Sequence, residues 1–255
     1  MAALRFGVCL DARVLARPQR SPLLARLDLV AFPELVDGGY AALKRGGGRH
    51  SIGDPFLKLF RDASAEFGIT VIAGSVHLAG THSTNTSLVF RNGRLVHRYD
   101  KIHLFRPLAD HRYFRPGRIA RTFPLVARAV NIRAGIEICY DLRFPELTRE
   151  LSLHRMRLLV VPARWPAARD DAWMTLLKAR AIENQIFVVG CNARGIEGGS
   201  SYAFDPSGEL VWTNRGRRAA PIAVFSLDMD RVAQAHRFHS NLKEAVLLRR
   251  QWTRP

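Results

Sequence analysis

Three residues with the chemistry for nucleophilic catalysis stand where the chain pattern puts strand ends: Glu34, Lys101 and Cys139. A thiolate is the strongest nucleophile a side chain offers near neutral pH. A carboxylate shielded from water can take a proton, and an ammonium can stabilise a developing oxyanion. Cys139 lies in the run Gly135-Ile136-Glu137-Ile138-Cys139-Tyr140-Asp141-Leu142-Arg143-Phe144-Pro145. Ile136 to Cys139 reads as a buried strand, and Pro145 suits the first position of a helix. Peptide N–H groups converge between a strand end and a helix start, a setting that favours thiolate. A lone cysteine is otherwise a small core residue, and Cys9 and Cys191, both in apolar runs, read that way. Lysine occurs at only five positions against 34 arginines. A lysine kept among so many arginines suits a role that guanidinium cannot fill.

The elements around these residues alternate between strand and helix. Leu4, Phe6, Val8 and Leu10 alternate as a first strand. Leu29 to Phe32 is an apolar strand entering Pro33-Glu34. Asp54, as N-cap, and Pro55 open a helix that runs to about Phe67. Ile69 to Ala73 is a strand, and Thr86 to Phe90 pairs with Arg94 to Tyr99 around the turn Asn92-Gly93. Pro145 to His154 and Asp170 to Asn184 are helices. Leu158 to Pro162, Ile186 to Cys191, Tyr202 to Phe204, Leu210 to Trp212 and Ile222 to Leu227 are strands. Such mixing implies a layered α/β architecture in one domain spanning 1–255. The last ~25 residues are a candidate oligomer-contact tail. Residues at the carboxyl ends of neighbouring strands can meet in one crevice, which would bring the three reactive groups together.

Composition narrows the class. A chain of 255 residues with 47% hydrophobic and 24% charged residues is ordinary for a soluble globular protein. No apolar run is long enough to span a membrane, and the start lacks the pattern of a signal peptide. Three cysteines without CxxC spacing point to a reducing compartment. The formal charge of +17 would attract nucleic acid. The arginines are scattered, however, and no recognition motif for nucleic acid is present. His103 and His111 have no metal-site spacing, and His103 reads as structural.

Taken in order, the segments Phe32-Pro33-Glu34-Leu35, Tyr99-Asp100-Lys101-Ile102-His103-Leu104-Phe105 and Cys139-Tyr140-Asp141-Leu142-Arg143-Phe144-Pro145-Glu146-Leu147 resemble the nitrilase, or carbon–nitrogen hydrolase, superfamily. Trp165-Pro166 with Arg169 and Trp173, Lys178 to Gln185, and Asp205-Pro206-Ser207-Gly208-Glu209 extend the resemblance over roughly residues 4 to 230. The Trp-Pro-x-x-Arg and Arg-Ala-Ile-Glu-Asn-Gln segments are most similar to the omega-amidase branch.

The resemblance implies a four-layer α-β-β-α sandwich and a cytoplasmic, cofactor-independent and metal-free amidohydrolase, at least homodimeric. It implies Glu34, Lys101 and Cys139 as a catalytic triad, with the Tyr140 N–H helping Lys101 to hold the oxyanion. The substrate class implied is a small dicarboxylate monoamide. Other branches keep the same triad, so N-carbamoyl amino acids, deaminated glutathione and aliphatic amides stay open, and beside them a basic nucleic-acid-binding protein on a hydrolase scaffold. The family's second glutamate aligns with Asp110, one methylene shorter. Either the backbone comes closer there or the position no longer serves. Arginine suits a distal substrate carboxylate. Arg164 is the first candidate, ahead of Arg143 and Arg169, with Trp165 and Phe144 as apolar walls.

Overall fold

The computed structural model describes residues 2–16, 21–51, 53–79, 82–217 and 220–245. The chain first lays down β1 (Ala3–Cys9), β2 (Leu29–Ala31), β3 (Arg49–His50), β4 (Thr70–Ala79), β5 (His82–Arg91) and β6 (Arg94–Asp100). It then builds β7 (Phe123–Ala127), β8 (Val130–Ile136), β9 (Met156–Ala163), β10 (Phe187–Asn192), β11 (Tyr202–Phe204) and β12 (Leu210–Thr213). Strand β13 (Ile222–Asp228) returns to pair antiparallel with β1. Two sheets result, ordered β13-β1-β2-β4-β5-β6, with β3 on β4, and β12-β11-β10-β9-β8-β7.

Side-chain alternation explains the layering. Along β1, Leu4, Phe6 and Val8 point into the space between the sheets, where they meet Ile136, Leu158 and Val160 of the other sheet. Intervening residues point outward: Val30 and Val71 meet Leu57 and Phe60 of the helix Pro55–Glu66. On the second sheet, Leu159, Val161 and Val188 meet Trp173, Leu177 and Ala181 of the helix Asp170–Asn184. Strands buried on both faces need apolar residues at every position, as these runs have. The expected helix–sheet–sheet–helix sandwich is therefore present. Cys9 and Cys191 are fully buried core residues, as expected.

The central pairings β1–β2, β2–β4, β8–β9 and β9–β10 are parallel. Their carboxyl ends carry Glu34, Cys139, Arg164 and Asn192 to the same end of the sandwich. One sequence expectation needs correction here. The strand before Cys139 ends at Ile136, and Cys139 opens a 3₁₀ turn, Cys139–Arg143. The strand lies upstream, where β7 and β8 form a hairpin that the apolar run from Ile136 masks. Among the described residues no helix is long and apolar enough to cross a membrane. The expected C-terminal tail begins in the helix Asp230–Phe238, and its residues 246–255 lie outside the described residues.

Candidate active site

Glu34 follows β2, with its side chain entirely buried. Its Oε1 accepts from Lys101 Nζ at 2.9 Å, Asn85 Nδ2 at 2.7 Å and the Tyr40 hydroxyl at 3.2 Å. Its Oε2 accepts the Arg164 backbone N–H at 3.0 Å. The Cys139 thiol lies close enough to the same carboxylate for each to shift the other's proton affinity. Carboxylate, ammonium and thiol, distant in sequence, thus occupy one site.

Lys101 is just past β6, and its backbone is fixed on both sides. Its N–H donates to Asn85 O at 2.9 Å, and its carbonyl accepts from Gly117 N–H at 2.8 Å. Its Nζ also donates to Asp110 Oδ2 at 2.9 Å. Asp110 is fully buried at the start of a short helix, Asp110–Tyr113. The Phe105 N–H donates to the same Oδ2 at 2.9 Å. The shorter acid therefore still reaches the lysine.

The Cys139 turn is held by Asp141. Cys139 has φ +50°, a left-handed value that costs a non-glycine residue about 1 kcal/mol or more. The buried Asp141 carboxylate accepts the Ile138 N–H at 3.1 Å, the Tyr99 hydroxyl at 2.7 Å and the His103 N–H at 2.8 Å. Tyr99 and His103 flank Lys101, so one carboxylate ties the thiol's turn to the lysine's loop. His103 has the structural role expected of it: Nδ1 lies 2.9 Å from Asp141 and the ring stacks on Phe144 at 3.6 Å.

The charges follow from this packing. Burial would push the Glu34 carboxyl up, but Lys101, Asn85 and Cys139 hold it below the usual range. Burial would lower Lys101, but the surrounding anionic groups, Glu34 foremost, hold it well above. Burial and the Glu34 carboxylate push the Cys139 thiol well up, against the pull of Lys101 and the Arg164 N–H. This corrects the expectation of a thiolate favoured by the coming helix. That helix, Pro145–Leu153, starts too far along the chain to offset the adjacent carboxylate. The resting site pairs a thiol with a carboxylate placed to take its proton.

Cys139 opens onto a cavity of about 210 Å³ lined by Tyr40, Lys101, Tyr140, Arg164 and Trp165, among others. Arg143 and Arg169 also line it, and among the described residues neither forms an ion pair. The Arg143 guanidinium lies over the Trp165 ring at 4.9 Å. One sequence assignment changes, and a second residue gains further partners. Phe144 stacks on His103 and is not among the lining residues. The Arg164 guanidinium is spoken for: it donates to Glu34 O at 2.8 Å, Leu35 O at 2.7 Å and Glu197 Oε2 at 3.1 Å. Asn85 and Glu197 were not legible as site residues because nothing local distinguishes them, and Tyr40 and Asp141 stand in or beside the quoted segments but show their role only through partners distant in sequence. A larger surface cleft of about 630 Å³, between Gln185, Asp205 and Phe238, includes none of Glu34, Lys101 and Cys139.

A two-sheet sandwich whose strand ends converge on a buried carboxylate, ammonium and thiol defines a class. The chain belongs to the carbon–nitrogen hydrolase family, whose model matches residues 14–237. An omega-amidase of Escherichia coli (strain K12), YafV, is 35% identical over 206 residues, 76% of this chain and 75% of its own length. A 2-oxoglutaramate amidase of Bacillus subtilis (strain 168) is 29% identical over 214 residues, 81% of this chain and 80% of its own. A carbon–nitrogen hydrolase superfamily protein of Xanthomonas campestris, solved with an arsenic adduct in its active site, superposes with a TM-score of 0.79. It is 25% identical, covering 96% of this chain and 97% of that one. The protein is an amidase-family enzyme of the nitrilase superfamily.

Proposed function

We propose that Cys139, Glu34 and Lys101 hydrolyse the terminal amide of a small dicarboxylate monoamide, releasing ammonia. The observation that carries this reading is the thiol beside a buried carboxylate that also holds a lysine, at a cavity lined by two arginines that form no ion pair among the described residues. Glu34 takes the Cys139 proton as sulfur attacks the amide carbon. The oxyanion forms near the Lys101 ammonium and the Tyr140 N–H, and loss of one such donor costs roughly 3–4 kcal/mol. As the C–N bond breaks, the proton held by Glu34 leaves with the amine as ammonia, and a thioester remains. Glu34 then deprotonates a water that attacks the thioester. The acid departs and the proton returns to sulfur.

The size and charge of the cavity support the substrate class. About 210 Å³ is less than the ~300–1,000 Å³ usual for drug-sized ligands, which favours a small acid over a glutathione-sized amide. With Arg164 committed elsewhere, Arg143 and Arg169 hold the distal carboxylate, and Trp165 forms the apolar wall. The names of the E. coli and B. subtilis relatives point the same way. The test is intact-mass trapping during turnover of a panel of amides with ammonia detection. An acyl adduct on Cys139 from dicarboxylate monoamides, and none in Cys139→Ala, is expected. Turnover persisting in Cys139→Ala would overturn the mechanism. Activity confined to N-carbamoyl compounds would overturn the substrate class alone.

A further inference from the structure

Arg164 touches the active site in a way that substrate binding does not explain. Its backbone N–H donates to Glu34 Oε2 at 3.0 Å, while its side chain donates to the Glu34 carbonyl at 2.8 Å and the Leu35 carbonyl at 2.7 Å. The segment bearing Glu34 belongs to the first sheet, and Arg164 follows β9 of the second. Leu35 has φ +47°, a conformation the chain does not hold without support. The third arm of the guanidinium goes to Glu197, on the loop after β10, at 3.1 Å. The same Glu197 Oε2 accepts the Tyr40 N–H at 3.2 Å, and Tyr40 is itself a hydrogen-bond donor to Glu34. A side chain at Gly39 would collide with both the Arg164 guanidinium and the Glu197 carboxylate. The glycine leaves room for the pair.

We infer that Arg164 and Glu197 are positioning residues: a clamp across the two sheets that fixes the Glu34 carboxylate against the Cys139 thiol. The clamp rests on the proposed roles of Glu34 and Cys139, but not on the substrate class. Arginine is needed because its planar fork serves three acceptors at once. The Lys ammonium cannot span the Glu34 carbonyl, the Leu35 carbonyl and Glu197 together. A small displacement of a base from its proton is expensive, and misplacement by about 1 Å can cost ~100-fold in rate.

Two variants test this, Arg164→Lys and Glu197→Ala, with thermal melting to confirm folding. Glu197 is half-exposed and among the described residues bonds only to the far arm of Arg164 and to the Tyr40 N–H, so its variant can be read alone if Arg164→Lys does not fold. Both are assayed on a neutral amide and on a dicarboxylate monoamide. A clamp lowers kcat on both substrates equally, by about tenfold or more, and leaves KM within about threefold. A rise in KM confined to the charged amide, with kcat intact, would make Arg164 a substrate ligand and end the proposal. Iodoacetamide alkylation of Cys139 gives a second readout, in which sulfur displaces iodide and Glu34 takes the thiol proton. It should slow by about the same factor in both variants. Alkylation needs no amide substrate, so it reads the clamp even where the proposed substrate class fails. Wild-type alkylation rates in a folded Glu197→Ala would overturn the clamp.

Discussion

Glu137 is a fully buried carboxylic acid two residues before Cys139, and the proposed reaction gives it no role. Thr148 donates its hydroxyl to Oε1 at 2.5 Å, while Oε2 is without a hydrogen-bond partner. Burial pushes its pKa up to about 8, with Asp141 and Glu183 adding to the effect and Thr148 and Arg180 opposing it. At neutral pH the group is therefore the uncharged acid. An unfolded chain loses this proton near pH ~4.3. Between there and about pH 8 the folded form keeps a proton that the unfolded form has released. Stability from this residue thus falls as pH rises through that window, then levels off. The total is up to ~5 kcal/mol. Glu137→Gln keeps the acceptor for Thr148 and removes the titration. Urea unfolding at about pH 5 and about pH 9 should show the variant gaining on the wild type at the higher pH. A stability difference that does not change between the two pH values would mean that Glu137 titrates as an ordinary exposed acid.

At the scale of elements, the helix Pro55–Glu66 shows how far local chemistry specifies structure. Asp54 caps it by accepting the Phe56 N–H at 2.8 Å, and Pro55 takes the first position. Asp54→Ala should cost ~1 kcal/mol, a fall in Tm of ~2–4 °C for a chain of this size, read by calorimetry. Asp54→Asn keeps the capping oxygen and should recover most of it. The Asp54 carboxylate also lies 3.1 Å from His50 Nδ1. If the Ala and Asn variants melt together, the ion pair is responsible and the cap is not. This helix was legible because its signals are adjacent in sequence, as they are for the hairpin turn at Asn92-Gly93, where both residues have positive φ. The helix Asp170–Asn184 was legible in its full extent for the same reason. Strand β8 does carry a strand's alternation, Val130, Ile132 and Ala134 against exposed Asn131 and Arg133, but the continuous apolar run from Ile136 is the stronger local signal and masks it. Arg164 lines the cavity, but the partners of its guanidinium were not legible, for a different reason. Its position after a strand is local information, but its acceptors at Glu34, Leu35 and Glu197 are supplied by the packing of two sheets. The lining role of Trp165 could be guessed from its place next to Arg164, whereas Phe144 turns toward His103, a partner that only the folded Asp141 network fixes.

For the whole molecule, the seam between the sheets is what makes the site. Glu34, Asn85 and Lys101 come from the first sheet and its loops, and Cys139 and Arg164 from the second. The chain carries a formal net charge of +17, and among the described residues Arg143 and Arg169 line the cavity without an ion pair. A positive field of this kind raises the encounter rate of anions and is screened by salt, with a Debye length falling from ~30 Å at ~0.01 M to ~3 Å at ~1 M. If the substrate is the anionic monoamide proposed above, the charge has a use that requires no nucleic acid, which is to concentrate that substrate. On this view kcat/KM for a dicarboxylate monoamide should fall by ~3-fold or more between ~20 mM and ~500 mM sodium chloride. The value for a neutral amide of similar size should hold steady, because the field does not act on it. The neutral substrate also controls for any effect of salt on the protein itself. Parallel loss on both substrates would locate the salt effect in the fold. Loss on neither would leave the arginine content without a part in catalysis.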